Sequence, residues 1–214
     1  MPLLDRRLML TGAALAGLAL AAGPGFAAAP PAAAPPAGVP MRLRGTIVAV
    51  HGSTIALRLR DGKAARAVLA PDAHILWLIA TRPDAIAKGS YIGTAAMPQK
   101  DGTLRALEVQ VFPPAMRGVG EGFHPFDTEP GATMTNGTIG TLTGAHGQTM
   151  TVLYKGGEKT VFVPPGVPFV RFAPTSRAAL RPGAHVLVNA TATADGPVLA
   201  HAVLVGKDGL VPPM

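Results

Sequence analysis

Sliding the chain against itself by about 94 residues brings one stretch into register with another, and this repetition limits the fold more than any other feature. Arg44-Gly45-Thr46-Ile47 returns as Asn136-Gly137-Thr138-Ile139. The turn His51-Gly52-Ser53-Thr54-Ile55 returns as His146-Gly147-Gln148-Thr149-Met150, after three extra residues in the second copy. Asp61-Gly62 then matches Gly156-Gly157, Lys88-Gly89 matches Pro182-Gly183, and Asp101-Gly102 matches Asp195-Gly196. The copies span 41–112 and 134–208, with a connector over 113–133 and a tail over 209–214.

Within a copy the hydrophobic period is two, the mark of strands that bury one face. Ile55, Leu57 and Leu59 alternate with Ala56, Arg58 and Arg60, and Leu107, Val109 and Val111 alternate with Glu108 and Gln110. This places Leu107 and Val109 inward. Glycine-containing turns at 51–53, 61–63 and 101–103 supply the positive backbone angles that tight connections need. The pattern predicts five or six short strands per copy. Between the third and fourth, Pro83-Asp84-Ala85-Ile86-Ala87-Lys88-Gly89 fits one helical turn ending at its glycine. Strands, a short helical turn, then two more strands is the order of a small OB-like barrel. The expected fold is therefore all-β: two tandem small OB-like β-barrels of five or six strands each.

The pattern Gly-Thr-Ile, turn, Thr-Ile-x-Leu, Asp-Gly-Lys, Lys-Gly or Pro-Gly before a strand, and Asp-Gly before the last strand resembles an uncharacterised family of bacterial secreted OB-like domains. The resemblance covers both copies and implies the barrel and the secretion, but carries no activity with it. His51 and His146 stand where that family more often has Asp, while keeping the turn.

The first residues, MPLLDRRLMLTGAALAGLALAAGPGFAAAP, have the layout of a cleavable secretory leader. Gly25 and Ala27 sit three and one positions before a cut after Ala27, which makes 1–27 the signal peptide. Arg6 and Arg7, followed by Leu8, Met9 and Leu10, resemble the twin-arginine export consensus, whose substrates generally cross the membrane already folded. The apolar run from Leu8 to Ala22 is shorter than the roughly 20 residues of a spanning helix, so the expectation is a periplasmic or secreted protein without a permanent anchor. Residues 28–40, AAPPAAAPPAGVP, read as a polyproline-biased tether.

Without the leader the 19 basic residues fall by two and the 12 acidic ones by one, leaving a net charge of +6. That balance favours anionic surfaces through long-range attraction that salt weakens. The absence of cysteine excludes disulfides, thiolate metal sites and thiol nucleophiles. Serine occurs at Ser53, Ser90 and Ser176 only, none of them in a Gly-x-Ser-x-Gly elbow, which removes the usual serine hydrolase signature.

The connector is the most unusual stretch. In PPAMRGVGEGFHPFDTEPGAT, Glu121, His124, Asp127 and Glu129 lie close together in sequence, and imidazole beside carboxylates is what a zinc or other divalent site uses. Glu121, His124 and Asp127 are the candidate ligands. The structural alternative is a stiff connector whose Phe123 and Phe126 pack between barrels. Gly118-Val119-Gly120-Glu121-Gly122 lacks the flanking strand and helix of a phosphate loop. His51 and His146 occupy equivalent turns, and His201 aligns with the inward Leu107. Met41, Met97, Met116, Met134 and Met150 show no clustered spacing, and Trp77, Tyr91 and Tyr154 are too scattered for a stacking groove on nucleic acid. The reading that results is an exported, non-enzymatic binding or adaptor protein of the envelope, without a predicted cofactor. Its partner class is an envelope protein or an anionic polymer, and its alternative is a metal-binding protein centred on His124.

Overall fold

Alternating β-branched and leucine side chains cut by glycine turns give strand after strand, and the computed structural model, which describes residues 38–144, 148–192 and 197–214, is all-β. The leader over 1–27, most of the 28–40 tether, the His146-Gly147 turn and Asp195-Gly196 lie outside the described residues. No described helix is long and apolar enough to cross a membrane. The strands are β1 Val39–His51, β2 Thr54–Leu59, β3 Ala64–Thr81, β4 Tyr91–Pro98, β5 Leu104–Ala106, β6 Val109–Val111, β7 Gly122–Pro125, β8 Thr133–Thr143, β9 Gln148–Tyr154, β10 Gly157–Val163, β11 Phe169–Pro174, β12 His185–Ala192 and β13 Leu199–Gly206. Short 3-10 helices occupy Pro83–Ala85, Pro114–Met116, Arg177–Ala179 and Lys207–Gly209.

β1, β2 and β3 form an antiparallel meander. β12 adds to β1 and β13 to β12, and β13 returns parallel to β3, closing a five-stranded barrel. A second ring of pairings begins with the meander β8–β9–β10. β4 joins β8 antiparallel, and β5 links β4 to β10. Neither ring is one contiguous copy. Each takes its meander from one half of the chain and its last two strands from the other, so the expectation of one barrel over 41–112 and another over 134–208 is replaced by an exchange of strands.

The exchange has a visible cause in β3, which continues for 18 residues, across an irregularity between Leu69 and His74, instead of turning back at its own barrel. Its second half pairs antiparallel with β11, from Leu76 opposite Pro174 to Thr81 opposite Phe169. This two-stranded ribbon carries both halves of the chain across to the other ring. The expected helical turn follows it, as the 3-10 helix Pro83–Ala85 with Gly89 at φ 87°. Its neighbour Ile86 packs into the second ring, while Ala179 and Leu180 after β11 pack into the first.

Each ring has its own core. Ile47, Ile55, Leu57, Val188 and Val203 fill the first; Ile92, Val109, Ile139, Val152 and Val161 fill the second. A third cluster, with Leu78, Val170, Phe172, Leu187, Leu204 and Met214, lies outside both. The repeated Gly45 and Gly137 have a steric reason. A Cβ at Gly45 would collide with the Arg58 carbonyl oxygen across the β1–β2 pair, and one at Gly137 with the Leu153 carbonyl oxygen across β8–β9.

The alternation expected over 104–111 breaks at one point. The N–H groups of Leu107 and Glu108 both donate to the Ala95 carbonyl, at 2.7 and 3.4 Å, so two residues oppose one. Ala106 and Val109 therefore both face the ring interior, Leu107 does not, and Glu108 is buried on the ring's outer face. A register shift between Ala200 and Ala202 does the same to β13. His201, expected inward, is consequently exposed, and its Nε2 lies 2.9 Å from the Thr191 Oγ1.

Candidate functional site

The outer face of the first ring carries two rows of side chains. Reading across the pairings, Arg42 of β1 stands beside Asn189 of β12, Asn189 beside Ala202 of β13, and Ala202 beside His74 of β3. Two residues along, where the pleat returns to the same face, the row is Arg44, Leu187, Leu204 and Leu76. The first row is polar. Leu187 and Leu204 of the second are buried, whereas Arg42 and His74 are exposed.

A cavity of about 790 Å³ lies over these rows. Its other walls come from Phe112, from Met116 and Phe126 of the connector, and from the second half of the chain, with Met134, Asn136 and Phe172. The size falls within the range of small-molecule sites, and an apolar lining with a few polar groups is their usual chemistry. Met41, Met116 and Met134, whose spacing in sequence showed no cluster, all reach it, and so does Met214; Met150 is instead buried in the second ring. Flexible thioethers adapt to ligands of varied shape. Asn136 donates through Nδ2 to the Val119 carbonyl at 3.3 Å, while its buried Oδ1 has no partner among the described residues.

The seam beside the cavity holds an unusual carboxyl group. Thr94, Glu108, Gln110 and Thr135 are the buried polar residues among those described, all on or next to strands of the second ring. Gln110 donates through Nε2 to Glu108 Oε1 at 2.6 Å, and Glu108 Oε2 has no partner among the described residues. Burial pushes the Glu108 carboxyl up to about 7, against the opposing pull of the Gln110 hydrogen bond and the charges of Arg44 and Arg60. The Arg60 guanidinium, whose own value is lowered first by burial, donates to the Pro212 carbonyl and ties the C-terminal segment to the seam.

The structure does not bring the connector candidates together. Asp127 accepts from Arg44 Nη2 at 2.7 Å and Nη1 at 3.0 Å, and from Arg42 Nη1 at 3.3 Å. The Arg44 hydrogen bond, more than the charges of Arg44 and Arg42, holds its carboxyl below the ordinary value. Glu121 Oε1 instead accepts the backbone N–H of Lys155 at 3.0 Å, and His124 is exposed on β7. Among the described residues no three His, Asp or Glu side chains converge as metal ligands. The glycines of 118–122 make tight turns at positive φ and lead into β7, a strand the sequence reading did not anticipate.

Phe126 does pack between the rings, with the Arg42 guanidinium 4.5 Å from its ring centroid. Phe123 does not; it is exposed, with Lys159 Nζ 4.4 Å from its ring centroid. His51 is exposed at its turn, and its counterpart His146 lies outside the described residues. Sequence reasoning missed Asn189, His74 and Glu108. The first two become neighbours only through the exchanged pairing, and Glu108 only through the two-residue bulge. No family model, curated protein or solved structure matches the chain.

Proposed function

We propose that the chain is an exported, non-enzymatic binding protein of the bacterial envelope that holds a small, largely apolar ligand in the cavity between its two rings. The observation that carries this reading is the cavity itself, about 790 Å³ and lined by Phe112, Phe126, Phe172, Leu187 and Leu204 among few polar groups. The ring order, a three-strand meander closed by two further strands with β13 parallel to β3, supports an OB-like description of each ring. Export rests on the leader and its Arg6-Arg7 pair; retention near envelope polymers rests on the net charge of +6 of the chain without that leader.

Solvent extraction of the protein purified from periplasm, followed by mass spectrometry, tests the reading. A stoichiometric apolar molecule, together with saturable binding of the neutral fluorophore N-phenyl-1-naphthylamine by the emptied protein, is the expected result. No extractable molecule and no saturable fluorescence would sink it. Replacing Arg6 and Arg7 with Lys tests the route, and accumulation of precursor in the cytoplasm is expected.

A further inference from the structure

The cavity wall sorts its chemistry by depth. The row Arg42, Asn189, Ala202, His74 runs along the exposed side, with His201 and Thr191 beside it, and the row containing Leu187, Leu204 and Leu76 runs beneath. Every charged or imidazole side chain on the lining is basic: Arg42, His74 and His201. Among the described residues, neither aspartate nor glutamate contributes to it. Asp127 sits next to Arg42 but spends its two shorter contacts on Arg44, which leaves the Arg42 guanidinium with one contact at 3.3 Å and further donors to offer.

From this arrangement, and resting on the cavity reading above, we propose that the ligand is a single-chain amphiphile with an anionic head group. Its tail lies against Leu187, Leu204, Phe172 and the cavity methionines. Its head group lies at the mouth, where Arg42, Asn189 and His74 supply hydrogen-bond donors from three strands of one rigid barrel. A guanidinium matches carboxylate and phosphate oxygens alike, so the shared chemistry is an oxyanion on an apolar chain. The free carboxylate and the phosphate of a one-chain lipid are the two sources to separate. A cationic amphiphile is disfavoured at the same mouth by like charge, and a neutral one leaves the donors to water.

The test uses the full mature chain with N-phenyl-1-naphthylamine as reporter and measures displacement by palmitate, 1-hexadecanol, hexadecyltrimethylammonium and palmitoyl lysophosphatidylglycerol. The expected result is that at least one anion displaces the reporter about tenfold more effectively than hexadecanol, with the cation the weakest. Palmitate in front assigns a free carboxylate and the lysolipid in front assigns a lipid phosphate; either supports the proposal. In Arg42→Gln and in His74→Gln the ratio of anion to alcohol displacement falls toward one, whereas Arg66→Gln, which lines a separate depression with Val48 and Arg58, leaves it unchanged. Arg42 and His74 are exposed, so each variant is checked for an unaltered melting temperature, and the His74 variant stands alone if the Arg42 variant unfolds. Equal displacement by acid, phosphate and alcohol, or ratios indifferent to both substitutions, overturns the head-group assignment while leaving the cavity reading intact. Failure of the reporter itself to bind overturns the cavity reading instead.

Discussion

Replacing Glu108 with Gln is expected to change how stability depends on pH. Glu108 is 1% exposed, its Oε1 is held by Gln110, its Oε2 has no partner among the described residues, and burial lifts its carboxyl from an ordinary 4.5 to about 7. The unfolded chain therefore releases this proton about 2.5 pH units earlier than the folded one. Between those values the folded state binds more protons than the unfolded state, so stability falls as pH rises from about 4.5 to about 7 and levels off above. At about 1.36 kcal/mol per unit, the cost reaches about 3 kcal/mol at pH 8. Gln keeps the acceptor that Gln110 uses. The unpaired amide it introduces costs roughly 1–3 kcal/mol at every pH. Urea unfolding of both proteins at several pH values between 4.5 and 8 isolates the effect as a difference, in which all other titrating groups cancel. The variant should gain about 3 kcal/mol on the parent across that interval. A flat difference, or a gain by the parent, would refute the reasoning and show Glu108 to be an anion held by Arg44 and Arg60.

Three further outcomes are expected. Asp127→Asn weakens a two-point ion pair in which Asp127 is half exposed and Arg44 mostly buried, and should cost about 1 kcal/mol, less in high salt; because the Asp127 value is depressed, that contribution is present above the ordinary carboxylate range and lost as pH falls through the folded value. Gly45→Ala and Gly137→Ala press a methyl group onto cross-strand carbonyls and should each destabilise by roughly 1–3 kcal/mol in denaturant titrations, where a loss under about 0.5 kcal/mol would count against the close approach. A fragment of residues 41–112 lacks β12 and β13, which close the ring around its meander, so circular dichroism should find no monomeric cooperative transition. Cooperative unfolding of a monomeric fragment would contradict the exchanged pairing.

Most strands were legible because burial of one face writes itself into alternate residues. Ile55 and Leu57 face the first core as their spacing implied, and Gly52, Gly62 and Gly102 hold positive φ at their turns. The same local pattern serves whichever ring a strand joins, so the exchange was invisible: nothing in Ala64–Thr81 distinguishes a strand that turns back from one that crosses over. The bulge at Leu107-Glu108 turned Leu107 away from the core and put Ala106 there in its place, while Val109 and Val111 beyond it kept the face their spacing implied. A lone glutamate inside an apolar run, LEVQV, was the one available hint. The connector misled for a simpler reason. Glu121, His124 and Asp127 are close in sequence, but β7 and the turn after it aim them at Lys155, the surface and Arg44 respectively. The cavity residues came from strands far apart in the chain, and only the pairing register lines them up.

The central claim is that the space between the rings is a binding site, and a single titration addresses it most directly. Ala202 sits in the polar row between Asn189 and His74 and lines the cavity. Ala202→Trp fills that space without touching either ring core. N-phenyl-1-naphthylamine titrated into the emptied parent should give a saturable signal at one site per chain, and the same titration into Ala202→Trp, folded to an equal melting temperature, should weaken binding at least tenfold. Equal binding by the two proteins would contradict the account.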